Sequence, residues 1–407
     1  MPQFYHLLTN CPRRLPLAPE RITFDCMKFA LLGADPESCL LTQAAAELGH
    51  EAVWYGDIAA VDRATHPWLE GADQADDWEA LFDRDLCDFI IVGRGNAPTT
   101  QRTEQVIQLT RIGRPLLTTF PLTDSVLSYY EIDMARLDSG VSLWHFNPLV
   151  THTDRIAEFR EWVTTGHPQL GRIEQVICER PLAERNREQD LWHFARDVEL
   201  LDAVVGPLDR LGAVGSPNEA ATYSGLSVQL LGKSQVPVRW SVGPVDQSPH
   251  PALTFVGERG RVSFMFDNAG EFQEGTAPPP VSSRPAFECI QKFAAVLNDS
   301  PRSQTTWLAA LRAMELTDTI EISLRRGRMI DVHRQQLTEE LSFRGTMSAV
   351  GCGVLLLLPP LLILAGWLAQ IAGLQFNKNW WAIGLLGFLA LFLLVQFAPK
   401  LLIKKRE

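Results

Sequence analysis

None of the seven cysteines, Cys11, Cys26, Cys39, Cys87, Cys178, Cys289 and Cys352, forms a C-x-x-C pair, and their number is odd. Thiols scattered in this way exclude a zinc ribbon and a disulfide framework, so no metal is expected and most should be small buried hydrophobes. Positive charge is also short, with 37 Lys and Arg against 48 Asp and Glu. Residues 378–407 hold five cations and one carboxylate, so the rest of the chain carries −15 of the net −11. A surface that acidic repels phosphate backbones, and no basic stripe with interleaved aromatics occurs, which excludes nucleic-acid partners. Residues 1–26, MPQFYHLLTNCPRRLPLAPERITFDC, lack the apolar core of a signal peptide. They read as a disordered arm, or as residues ahead of a true start at Met27.

The tail is rich in what the rest has sparingly, uninterrupted apolar sequence. From Gly345 to Asn377 no residue is charged, and SAVGCGVLLLLPPLLILAGWLAQIAGL fills most of the run. A second uncharged run, NWWAIGLLGFLALFLLVQFAP, covers Asn379 to Pro399. Each exceeds the roughly 20 apolar residues that cross a bilayer. The expectation is a hairpin of two transmembrane helices over 345–407, ending in a basic tail and joined through a linker at 334–344. Pro359 and Pro360 would kink the first span, and Trp380 and Trp381 would sit at the interface. Arg344, Lys404, Lys405 and Arg406 outweigh Lys378 in the turn, which places the soluble part on the cytoplasmic side. Neither span holds a carboxylate or histidine, which argues against transport.

From Met27 strand and helix patterns alternate. KFALLG, EAVWYGD, DFIIVGRGN and RPLLTTF read as strands, while SCLLTQAAAELGH and TTQRTEQVIQLTRIG read as helices. Strands separated by helices of that length make βαβ units and a parallel sheet, whose ligands sit beyond the strand tips. Those tips are Gly33-Ala34-Asp35, Asp57, Arg94-Gly95-Asn96 and Thr119-Phe120-Pro121. Gly33 suits the tight turn of a dinucleotide site, and Asp57 lies near the spacing of a ribose-binding carboxylate. Asp35 stands where a second glycine would let the backbone approach a pyrophosphate. The turn alone therefore leaves two readings open, a cofactor site and an ordinary strand followed by a loop.

After the helix PLTDSVLSYYEIDMARLDSG and the strand VSLWHFNP, a helix over THTDRIAEFREWVTTG, a strand over GRIEQVICERP and a helix over QDLWHFARDVELLDAVVG follow. Short strands then take over: LDRLGAVG, LSVQLLG, VPVRWSVG and PALTFVGERGRVSFMF. Two helices and RMIDV close this part. The fold class is α/β: a doubly wound Rossmann sheet over 27–145, then a domain over 146–333 with a mostly antiparallel, open sheet.

Several of these stretches together resemble the glucose–fructose oxidoreductase/inositol dehydrogenase (Gfo/Idh/MocA) family. PALTFVGERGRVSFMF is similar to that family's strand–G-E-x-G–strand hairpin. TTWLAALRAMELTDTIEISLRRGRMIDV resembles its closing helix and strand, and TTFPLTDSVLSYYEIDMARLDSGVSLWHFNP stands where its E-K-P motif lies. The likeness runs from Met27 to Val332. It implies NAD or NADP as cofactor, hydride transfer at a secondary alcohol of a sugar or polyol, and a second sheet through which copies associate.

The departures fall on the chemistry. The family's E-K-P lysine corresponds to Phe120, Thr119 replaces its glutamate, and only Pro121 is kept. Its catalytic histidine corresponds to Arg196, and the carboxylate three residues on to Glu199. His193 and Asp197, four apart on one helix, are either a displaced base with its orienting partner or a surface pair. Leu191, Phe194, Ala195, Val198 and Leu201 form the opposite, apolar stripe. His145 and Asn147 are a second candidate pair on the substrate side, with a buried structural histidine as the alternative. Arg94 could meet a cofactor phosphate or bridge to Asp35. Two functions remain: a membrane-anchored NAD(P)-dependent oxidoreductase with a rearranged site, or a catalytically inactive member that serves as a ligand-binding scaffold for a membrane protein.

Overall fold

The computed structural model describes residues 26–332, apart from 59–66, 70, 75–76, 217–218, 246–248, 280–281 and 300–305. The expected arm over 1–26, apart from Cys26, and the whole of the linker and the membrane hairpin lie outside the described residues. Among those described, no helix is long and apolar enough to cross a membrane.

Six parallel strands make the first sheet: β1 Lys28–Leu32, β2 Glu51–Gly56, β3 Asp73–Gln74, β4 Phe89–Val92, β5 Leu116–Thr119 and β6 Leu143–Phe146, in the order β3-β2-β1-β4-β5-β6. β4, β5 and β6 are buried at every position, as expected of strands covered on both faces. Helices α1 Pro36–Glu47, α2 Thr99–Arg111 and α3 Val126–Ser139 are the crossovers. α1 starts sharply because Asp35 caps it, Ser38 completes the capping box and Pro36 needs no amide partner. α3 ends at Gly140, which takes the left-handed conformation at φ 66°.

After α4 Thr153–Thr165 comes β7 Ile173–Leu182, then α5 Arg187–Val205, then β8 Leu208–Val214, β9 Ser227–Gly232, β10 Val238–Pro244, β11 Ala252–Gly257, β12 Gly260–Phe266 and β13 Phe272–Glu274. With β14 Ile330–Asp331 they form an eight-stranded sheet in the order β13-β12-β11-β7-β10-β9-β8-β14. Only the β7–β10 pair is parallel. Burial alternates along β9, β10 and β11, so one face lies on the core and the other is open. A bulge at Glu174 shifts the register of β7 and lets Ile173, Val176, Cys178, Arg180 and Leu182 all point inward.

The two closing helices part company. α7 Trp307–Arg326 packs on α3, α5 and β8. α6 Arg284–Asp299 returns to the first sheet, where Ala286, Ile290, Phe293 and Ala294 join Phe29, Phe89, Leu117 and Trp144 in one cluster. Phe293 meets Phe89 and Trp144 edge-on, with ring centroids 5.6 Å apart in both cases. The strongly apolar stripe of α6 therefore covers a face of the parallel sheet beside α1.

Candidate functional site

The strand order reverses between β1 and β4, and the carboxyl tips there define the crevice where a doubly wound fold takes its ligand. Gly33, at φ 80°, and Gly95, at φ 58°, bring two loops into contact; a Cβ at Gly95 would stand 2.8 Å from Gly33 Cα. The Asp35 carboxylate accepts the amide of Ser38 at 2.7 Å, the amide of Arg94 at 2.8 Å and the Thr119 hydroxyl at 2.7 Å. It thus ties the tips of β1, β4 and β5. The Arg94 contact runs through the main chain; its guanidinium forms no ion pair among the described residues.

Asp57 ends β2 in the left-handed conformation, φ 54°. Its carboxylate accepts the amides of Asn96 at 3.1 Å and Ala97 at 3.2 Å, and pairs with Arg102. The Arg102 side chain is 1% exposed and also donates to the Arg94 carbonyl at 3.3 Å and to Gln105 Oε1 at 2.9 Å. Nothing in the local sequence chemistry around Asp57 points to this partner. A signal does exist: Arg102 falls on the stripe of α2 shared with Val106 and Leu109, a charge on a buried face.

A second buried cluster sits where the resemblance places the chemistry. Phe120 is 1% exposed and meets His145 edge-on at 5.2 Å and Tyr129 at 6.0 Å. His145 Nε2 bonds Glu199 Oε1 at 2.7 Å, and Asn147 Nδ2 donates to Glu199 Oε2 at 2.8 Å and to the Arg196 carbonyl at 3.0 Å. His145, Asn147 and Glu199, named separately from sequence, are one network. His145 Nδ1 is buried with no partner among the described residues.

Arg196 points the other way along α5. It donates to Glu37 Oε1 at 2.9 Å and to the Asn268 carbonyl at 2.8 Å, with its guanidinium 4.7 Å from the centre of the Trp192 ring. Burial raises the Glu37 carboxyl, and the Arg196 charge works against that rise. His193 and Asp197 are not a pair. Both are buried, and Asp197 is held by Arg180 Nε at 2.9 Å and Trp240 Nε1 at 2.8 Å. A guanidinium on the facing strand, with a bidentate fit, takes the carboxylate that helical spacing offered to the imidazole. His193 is pushed well below the usual histidine range by burial and then by the charges of Arg180 and Arg196, so it is neutral.

Does this crevice suit the dinucleotide that the resemblance implies? Gly33 and Gly93 leave no room for a side chain: a Cβ at Gly93 would stand 2.6 Å from the Gly33 carbonyl oxygen. Asp57 ends β2, where the resemblance would put a ribose-binding carboxylate, and the Arg94 guanidinium has no ion-pair partner among the described residues. At the start of α1, however, Pro36 has no amide and Ser38 N is taken by Asp35. The donor set fits a dinucleotide whose phosphate charge is met by the Arg94 guanidinium in place of helix amides. Among the described residues no cluster of metal-ligating side chains is found.

No protein-family model and no curated protein matches the chain. Solved structures do. A myo-inositol dehydrogenase from Corynebacterium glutamicum is 16% identical with a TM-score of 0.58, over 76% of this chain and 99% of that one. The WlbA dehydrogenase from Chromobacterium violaceum, in complex with NADH and UDP-GlcNAcA, is 16% identical with a TM-score of 0.58, over 80% and 100%. GenD2 from gentamicin A biosynthesis, in complex with NAD, is 18% identical with a TM-score of 0.60, over 79% and 99%. The first two of these neighbours are dehydrogenases, and the second and third hold NADH and NAD. The chain shares their fold across its two sheets.

Proposed function

We propose that the protein is a membrane-anchored member of this fold that binds NAD(P) and a sugar-like small molecule without turning them over, and serves as a ligand-responsive scaffold. The observation that carries the reading is the state of Arg196. Taking hydride from an alcohol carbon requires a group that accepts the hydroxyl proton. Phe120 has none to offer, and Arg196 keeps its proton and is engaged by Glu37 and the Asn268 carbonyl. His193 lacks the orienting carboxylate that would make it a substitute.

Bound NAD(P) would supply hydride chemistry at its nicotinamide. The chain's own part would be to hold ribose hydroxyls on Asp57, to face phosphates with Arg94, and to admit the cofactor backbone-close at Gly33 and Gly95. Ala34, Asn96, Thr119 and Pro121 line the same strand tips. The neighbour that holds UDP-GlcNAcA supports a nucleotide-linked sugar as the small molecule. The two uncharged runs after Gly345 support anchoring in a lipid bilayer, with the folded part on the cytoplasmic side and a membrane protein as partner. The open face of the second sheet supports pairing between copies.

One feature favours a second reading, an active oxidoreductase. His145 is held by Glu199, which is held by Asn147, and its other ring nitrogen has no partner. That is the arrangement of an oriented general base.

The test is a titration of the full-length chain in detergent with NADH and NADPH by fluorescence, followed by nicotinamide absorbance with nucleotide sugars and inositol. Saturable binding with unchanged absorbance is expected. Turnover that His145→Gln abolishes would establish the second reading instead. Absence of binding would remove the dinucleotide from both.

A further inference from the structure

The Arg102 guanidinium occupies the gap between the two glycine turns of the crevice. Its Nη2 lies 2.5 Å from where a Cβ at Gly33 would stand and 2.7 Å from where one at Gly95 would stand. From that position it pairs with Asp57 while Gln105 and the Arg94 carbonyl hold its other nitrogens. The amides of Asn96 and Ala97 converge on the same carboxylate oxygen, Oδ2, at 3.1 and 3.2 Å, while Oδ1 meets only Asn96 N at 3.3 Å. Oδ2 is thus fully used, the guanidinium fills the gap in front of it, and a guanidinium already paired is a poor partner for a pyrophosphate.

We infer that the Arg102–Asp57 pair is a lock on the dinucleotide crevice: it must part for the cofactor to enter, the Arg102 side chain leaving the gap between the two glycine turns and Asp57 turning to ribose hydroxyls. This rests on the cofactor reading above. A pair buried on the Arg102 side is strong enough to keep the binding-competent arrangement a minor one, and apparent affinity falls by the fraction that is open. Asp57 is not stranded when Arg102 is removed, because its side chain is 25% exposed and keeps two backbone amides. Gln105 offers a second handle. As Gln105→Glu it would compete for Arg102 Nη1 from 2.9 Å and draw the guanidinium away from Asp57.

NADH titrations of the full-length protein, with Arg102→Met and Gln105→Glu beside the wild type, decide the matter. The lock requires Arg102→Met to bind about tenfold more tightly or better, with Gln105→Glu shifted in the same direction. Equal or weaker binding by a folded Arg102→Met, or by Gln105→Glu if the first variant does not fold, would overturn it while leaving cofactor binding intact. No binding by any of the three removes the dinucleotide reading itself, and the lock with it.

Discussion

Arg196 of α5 and Glu37 in the first turn of α1 form a buried ion pair, N to O 2.9 Å, that joins the helix under the second sheet to the strand tips of the first. The side chains are 1% and 12% exposed. Each lobe therefore presents to the other a charge that water reaches poorly; Glu37 and the Asn268 carbonyl engage the two terminal nitrogens of Arg196, and its Nε has no partner among the described residues.

Breaking it from the arginine side is costly. Arg196→Met is expected to destabilise the protein by about 3 kcal/mol in denaturant melts, because Glu37 loses its counter-charge and the Asn268 carbonyl its donor. The double variant with Glu37→Gln should recover about 1 kcal/mol or more of that loss, as for directly coupled neighbours. Simple additivity of the two would show that the pair does not couple the lobes.

Glu199 is expected to behave as a structural hub. Glu199→Leu leaves His145 Nε2 and one Asn147 amide hydrogen buried without acceptors, at a cost of about 1–3 kcal/mol for each stranded group. Glu199→Gln keeps the Asn147 contact and should cost less than the leucine. If both variants melt with the wild type, the network carries no stability, and its retention would speak for the oriented-base reading.

Asp190, on the first turns of α5, is fully buried and neither carboxyl oxygen has a partner among the described residues. Burial pushes its pKa up to about 7, with Arg185 opposing. The folded chain therefore holds a proton that the unfolded chain releases near the ordinary aspartate value of about 3.9. Stability must fall as pH rises between those two values and level off above the folded one. Asp190→Asn should remove that slope and raise the melting temperature more at pH 8 than at pH 5 (both values chosen from about one unit outside or inside that window). An identical gain at both pH values would mean that Asp190 is ionised throughout.

How far the sequence announced this site differs from residue to residue. The parallel sheet was legible because KFALL, FIIV and LLTT are short apolar runs ending at turn residues, which is what two-sided burial demands. Phe120 and Arg196 drew notice only through the resemblance, and the structure adds that both side chains are buried. The His193–Asp197 pairing failed because helical spacing reports only neighbours along one element, and Arg180 and Trp240 approach Asp197 from strands far along the chain. Arg102 was overlooked for a related reason. Its significance lies in a contact 45 residues back, with Asp57, and only its place on a buried stripe hinted at it. The two-residue strands β3 and β13 are too short for any period to register.

The return of α6 to the first sheet has a consequence for how the chain can be divided. One face of the parallel-sheet lobe is roofed by a helix made only after seven of the eight strands of the second sheet, β7 to β13, have been synthesised. A fragment ending near Val150 would leave Phe29, Phe89 and Trp144 without their cover, a broad oily surface of the sort that drives aggregation. Strands β7 to β13 are therefore an insertion within the parallel-sheet lobe, and neither lobe is a separable cassette.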